Sequence, residues 1–106
     1  MSNQTAIETW DRDTDGELSE EAMRLKLENR GYTVSRYVYP PGTFFPDHSH
    51  TVDKIDAVLA GRFRITTPSG SALLQAGDCL IVPKGMVHSA AVVGDEAVVS
   101  LDAIKA

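Results

Sequence analysis

Two periodicities divide the chain. Over residues 18–31, LSEEAMRLKLENRG, Leu18, Ala22 and Leu25 recur at i, i+4 and i+7 with Met23 and Leu27 beside them, the stripe of a helix that must lie on something apolar. Ser19 is a good N-cap, Glu20 and Glu21 occupy a first turn whose dipole favours anions, and Leu18 is placed to staple onto Met23. Lys26 and Arg30 fall in the last turns, and Gly31 suits a left-handed stop. Beyond Gly31 the pattern shortens to runs rich in Val, Ile, Tyr and Thr: residues 32–39, 44–45, 54–59, 62–67, 71–75, 79–83, 87–93 and 97–102. PPG, AG, PSG, AGD, PKG and GDE stand between them as turns, so the expected fold is an all-β antiparallel sandwich or barrel with one N-terminal α-helix.

Composition narrows the picture. At 106 residues the chain has room for one core, and 42% hydrophobic with 24% charged residues excludes wholesale disorder. No apolar run approaches the ~20 residues that cross a bilayer, and the start lacks a basic and apolar leader, so no membrane association and a cytoplasmic location are expected. One cysteine, Cys79, excludes an intramolecular disulfide. The net charge of −5 is carried mainly by residues 1–31, with eight acids against four bases. Neither half shows a basic stripe, which argues against nucleic acid as a partner.

Only three histidines occur, His48, His50 and His88. Two residues apart on extended chain, His48 and His50 leave from the same face, a chelating geometry that a β-barrel fold would complete with His88. Neutral imidazoles suit a divalent transition metal such as Fe, Zn, Ni or Cu, and three of them leave coordination positions open.

The spacing around these histidines resembles a known family. Gly42-x5-His48-x-His50-x3-Lys54-x6-Gly61 looks like the first cupin motif and Gly77-x5-Pro83-x-Gly85-x2-His88 like the second. The resemblance covers residues 32–102 and implies a double-stranded β-helix, or jelly roll, with a metal inside held by His48, His50 and His88. The chain then divides into an acidic segment with a helix, residues 1–31, and a cupin barrel, residues 32–106, together one structural domain. Two positions depart from the family pattern: Lys54 stands where a glutamate ligand is usual, and Val92 where an asparagine often closes the second motif.

If position 54 points into the barrel, alternation sends Asp56 and Val58 the same way. An ammonium near a dication is repelled and its pKa falls unless Asp56 or Asp53 pairs with it. Lys54 is then either half of a structural ion pair or an acid/base or anchoring group for substrate. Lys54 and Asp56 are accordingly the catalytic candidates of a small metal-dependent enzyme acting on a small organic metabolite by dioxygenase-, isomerase- or lyase-type chemistry. The alternative is a non-catalytic or metal-free cupin that binds or senses a small molecule.

Three further features need weighing. Asp11, Asp13, Asp15 and Gly16 match the start of an EF-hand calcium loop, but its twelfth position is Ala22, so a solvated acidic turn leading into the helix is expected. Cys79 reads as a small core residue and Tyr37, Tyr39 and Phe45 as a core aromatic stripe. Ser89 should point away from its neighbour His88, which excludes a nucleophile pair between them. Several strands are apolar on both faces, more than one helix is expected to cover, so a homodimer packed sheet against sheet is the expectation.

Overall fold

The computed structural model describes residues 6–105. Nine strands and two short helices follow one another as β1 (Ala6–Thr9), α1 (Arg12–Asp15), α2 (Glu20–Glu28), β2 (Thr33–Tyr39), β3 (Phe44–His48), β4 (Asp53–Ala60), β5 (Arg62–Thr67), β6 (Gly70–Leu74), β7 (Asp78–Val82), β8 (His88–Val93) and β9 (Val98–Lys105). They form two antiparallel sheets, β1-β7-β4-β9-β2 and β3-β8-β5-β6, which face each other as a jelly-roll barrel. The strands expected after residue 32 are all present, with small shifts at their ends. The sequence reading placed no strand before residue 32, and the structure adds β1, paired with the edge of β7. An ion pair from Glu8 to Arg30 (2.7 Å) ties β1 to the end of α2.

Between the sheets Val58, Phe63, Ile65, Leu74, Leu80, Val82 and Val98 close an apolar core. A second cluster lies on the outer face of the five-stranded sheet, where Met23 and Leu27 of α2 pack on Val34, Ile55, Ala57, Cys79, Leu101 and Ala103. Ser19 caps α2, its Oγ accepting from the Ala22 N–H at 3.0 Å. The buried seam of α2 is rotated from the expected Leu18–Ala22–Leu25 stripe. Met23 and Leu27 are 1% exposed, whereas Leu25 is 56% exposed.

The cover over the five-stranded sheet is partial, since Val38, Phe44, Leu73 and Ile104 stay exposed elsewhere on the two sheets. Trp10, Leu18, Tyr32 and α2 shield the outward residues of β4, β7 and β9 within one chain. No helix among the described residues is long and apolar enough to cross a membrane.

The acidic turn is organised, though not as a cation loop. The Asp11 carboxylate caps α1 by accepting from the Asp13 N–H (3.0 Å) and the Thr14 hydroxyl (3.1 Å), and Asp15 pairs with Lys26 at 2.8 Å. Asp15 thus has an internal ammonium as its partner, the Lys26 Nζ itself lying 5.1 Å from the centre of the Trp10 ring.

Candidate metal centre

Strand pairing assembles the histidines. β3 runs antiparallel to β8, and beyond an irregularity after Phe45 the register sets His48 directly opposite His88. Their ring centroids are 4.2 Å apart. His50 lies past the end of β3, in the loop before β4, with its ring 4.9 Å from His48 and 5.3 Å from His88. One ligand nitrogen from each of the three falls within 4.8 Å of the others, close enough for the three to converge on one ion. Among the described residues this is the one cluster of His, Cys, Asp and Glu side chains arranged to hold a metal.

The backbone sets which nitrogen is presented. His48 Nδ1 lies 2.7 Å from the Pro46 carbonyl oxygen, and His88 Nδ1 lies 3.0 Å from that of Met86. A carbonyl accepts and never donates, so each Nδ1 carries a proton, and in the neutral ring each Nε2 keeps its lone pair. This orientation by an outer hydrogen bond is typical of histidines that hold metals. The third ring supplies the test of fit, because His50 Nε2 is buried without a hydrogen-bond partner. A buried orphan nitrogen is unfavourable unless something satisfies it, and with Nε2 unprotonated a divalent transition metal held by the three imidazoles would do so.

Behind the histidines lies a cavity of about 210 Å³ with two further walls. Tyr39, Phe45 and Phe63 form an aromatic side, Tyr39 meeting Phe45 edge-on at 5.0 Å and stacking on Phe63 at 5.5 Å. Tyr39 and Phe45 thus face the cavity as well as the core, while Tyr37 is largely exposed. The other side is charged: Lys54 Nζ sits 2.7 Å from Asp102 Oδ1 and 3.6 Å from Asp56 Oδ1. Alternation along β4 sends Lys54, Asp56 and Val58 inward, as expected. The pairing β4–β9 then places Asp102 directly across from Asp56.

The match to known proteins decides the family. Residues 35–104 match the Cupin_2 model, described as a cupin domain. The chain belongs to the cupin family. No curated protein sequence matches it. Among solved structures this cupin is similar to the cupin domain of Schizosaccharomyces pombe Cnp3, at 20% identity and a TM-score of 0.65, over 70% of this chain and 52% of that one. A cupin-2 domain protein from Shewanella frigidimarina matches at 23% identity and 0.59, over 68% of each chain. An oxalate decarboxylase matches at 26% identity and 0.61, over 70% of this cupin but only 21% of its own chain.

Burial and charge set the protonation of the cupin cavity. Burial, with the Lys54 charge next, lowers the pKa of His50, and burial likewise lowers that of His88, which favours the neutral imidazoles a metal requires. For Lys54 burial pulls the pKa down, but Asp56 and Asp102 outweigh it and hold the ammonium above its ordinary value. The depression that an isolated lysine would suffer here does not occur. Asp56 is pushed up to about 7, chiefly by burial and then by Asp102 beside it, with Lys54 opposing. Burial and the same two carboxylates push the Tyr39 hydroxyl up to about 12.

Of the residues singled out from sequence, the structure gathers His48, His50, His88, Lys54 and Asp56 around one cavity. Asp53 does not pair with Lys54; its Oδ1 accepts from the Lys84 N–H at 2.9 Å. Cys79 faces the opposite side of the sheet, its sulfur 3.7 Å from that of Met23 and its thiol pushed up to about 11 by burial. Ser89, next to His88 on β8, leaves from the other face of the strand. Asp102 is the residue that sequence reasoning missed. Its signal was present in period two, since Val98, Ser100 and Asp102 share the inward face of an otherwise apolar strand.

Proposed function

We propose that this cupin is a metal-dependent enzyme that moves a proton on a small organic metabolite, chemistry of the isomerase or lyase type. His48, His50 and His88 would hold a divalent transition metal, Fe, Zn, Ni or Cu, through their Nε2 atoms. When bound, such an ion supplies Lewis acidity to an oxygen of the substrate. Every other part belongs to the chain. Tyr39, Phe45 and Phe63 exclude water from one side of the bound molecule and limit it to what about 210 Å³ admits. Lys54 turns a fixed positive charge toward developing negative charge on the substrate. Asp56, pushed up to about 7 by burial and then by Asp102 across from it, can give or receive a proton near neutral pH.

The observation that carries this reading is the juxtaposition of an orphaned His50 Nε2 with a Lys54–Asp56–Asp102 array across one small cavity. The array offers a proton donor and acceptor beside the histidines, which is what isomerase- and lyase-type steps require. The similarity to an oxalate decarboxylase agrees with a small acid as substrate. A second reading is a metal-free small-molecule sensor, favoured by the Lys54 charge near His50, which opposes a dication there.

Elemental analysis separates the two. Protein purified without a histidine tag and incubated with Fe²⁺, Zn²⁺, Ni²⁺ or Cu²⁺ is expected to retain near-stoichiometric metal, and His50→Ala to lose it. A wild-type protein that retains none of the four overturns the enzyme reading in favour of the sensor.

A further inference from the structure

The two loops that bring the histidines together are tied to each other. The Gly85 N–H donates to the His50 carbonyl at 2.8 Å, and the Lys84 N–H donates to Asp53 Oδ1 at 2.9 Å. The turn they hold continues directly into the ligand. The Met86 N–H closes back on the Pro83 carbonyl at 3.2 Å, and the Met86 carbonyl accepts from His88 Nδ1–H at 3.0 Å. Gly85 takes φ +81° in this turn, a conformation that glycine adopts without strain. Contacts therefore run from the Asp53 carboxylate through Lys84, Gly85 and Met86 to the His88 ring, and from the same turn back to the His50 backbone.

We propose that Asp53 is a positioning residue of the metal centre, its carboxylate holding the Lys84 amide so that His50 and His88 stay at chelating distance. The proposal rests on the metal-centre reading above and names the device that keeps two loops, remote in sequence, in register. Asp53 begins β4 opposite Lys105, so one end of the latch is anchored in the larger sheet. The other end is a turn outside both sheets, fastened by these hydrogen bonds. A charged acceptor on a backbone amide is among the stronger hydrogen bonds available for such a task. Among the described residues no other side chain holds the Lys84 amide, so removing the Asp53 carboxylate leaves the turn tied to the other loop by the Gly85–His50 bond alone.

Zn²⁺ affinity, measured on the full untagged chain by competition with a chromophoric chelator, tests the assignment. Asp53→Ala is expected to weaken binding about 10–100-fold, the range for outer partners of metal-holding histidines, while Asp53→Asn, which keeps an acceptor oxygen, stays close to wild type. Folded Asp53→Ala that binds Zn²⁺ as tightly as wild type overturns the proposal. So does an Asn variant as weak as the Ala variant. Should Asp53→Ala fail to fold, Asp53→Glu displaces the acceptor by about 1.5 Å and is expected to weaken binding likewise; undiminished affinity there has the same consequence. If the wild type binds no metal, the metal-centre reading fails by itself. The latch is then read from the His50 and His88 ring resonances, which must shift in Asp53→Ala but not in Asp53→Asn; unmoved resonances overturn it.

Discussion

Strand β4 presents two environments one residue apart. Ile55 and Ala57 face α2, where Met23, Leu27, Leu101 and Ala103 surround them with apolar atoms only. Lys54 and Asp56 face the barrel, where two carboxylates and an ammonium are each less than a tenth to a quarter exposed. The outer face gains stability from apolar area removed from water, about 25 cal/mol per Å², and does so at any pH. The inner face holds charges that desolvation penalises and that their mutual attraction only partly repays. A strand period of two allows this division: the helix-covered face stabilises the sheet, and the opposite face is left free to carry groups chosen for chemistry.

Removing the ammonium breaks the contrast most severely. In Lys54→Met the Asp56 and Asp102 carboxylates face each other without a cation, and loss of one partner from a buried ionic group costs about 3–5 kcal/mol. The sign of its pH dependence follows from linkage. Without Lys54 the Asp56 pKa, already raised, rises further above the unfolded value, so its stabilising effect is present in acid and lost as pH rises through the folded pKa. Urea denaturation is expected to show a large loss at pH 8 and a smaller one at pH 5. Equal losses at the two values would mean that Lys54 contributes through packing alone.

How much of this could be read in advance follows the same division. The helix was legible because Ser19, its first-turn acids and Gly31 are local signals, and with Lys54 set inward by the cupin resemblance, alternation carried Asp56 and Val58 with it. The histidines were legible because their spacing resembles two cupin motifs. What escaped depends on partners remote in the chain. β1 is four residues whose structure is decided by the free edge of β7, and local propensity says little about so short a segment. Asp102 acquires its meaning only from the β4–β9 register. The helix face was misjudged for a related reason: both Leu25 and Met23 fit an apolar stripe, and contact with the sheet selects Met23.

A smaller effect isolates the Asp56 proton. Asp56 has a folded pKa raised to about 7 from an ordinary value of 3.8. Between those values the folded state binds the extra proton, and the Asp56 contribution declines as pH rises. His50 and His88, with lowered pKa values, act oppositely: their contribution is lost as pH falls through their folded values. Within the Asp56 window, from 3.8 to about 7, the two trends oppose one another in the metal-free protein. Asp56→Asn keeps the shape and removes the declining limb. Relative to wild type, its stability is expected to rise with pH across this window by up to about 1.4 kcal/mol per unit. A wild-type-like pH profile would show that Asp56 is ionised throughout and holds no proton.

The smallest change sharpens the comparison from the other face. Ile55 lies between Lys54 and Asp56, is fully buried, and touches neither charge from its side of the sheet. Ile55→Val deletes one methylene under α2 and is expected to cost about 0.5–1.5 kcal/mol. Of the side chains buried in that cluster only the Cys79 thiol titrates, and burial pushes it up to about 11, so the cost should be the same at pH 5 and pH 8. Zn²⁺ affinity should not change, because the inward groups of β4 keep their register. Thermal and urea denaturation at both pH values, with chelator competition alongside, check this. A pH-dependent loss, or weakened metal binding, would show that the two faces of β4 are energetically coupled and that packing under α2 helps to set the geometry of the site.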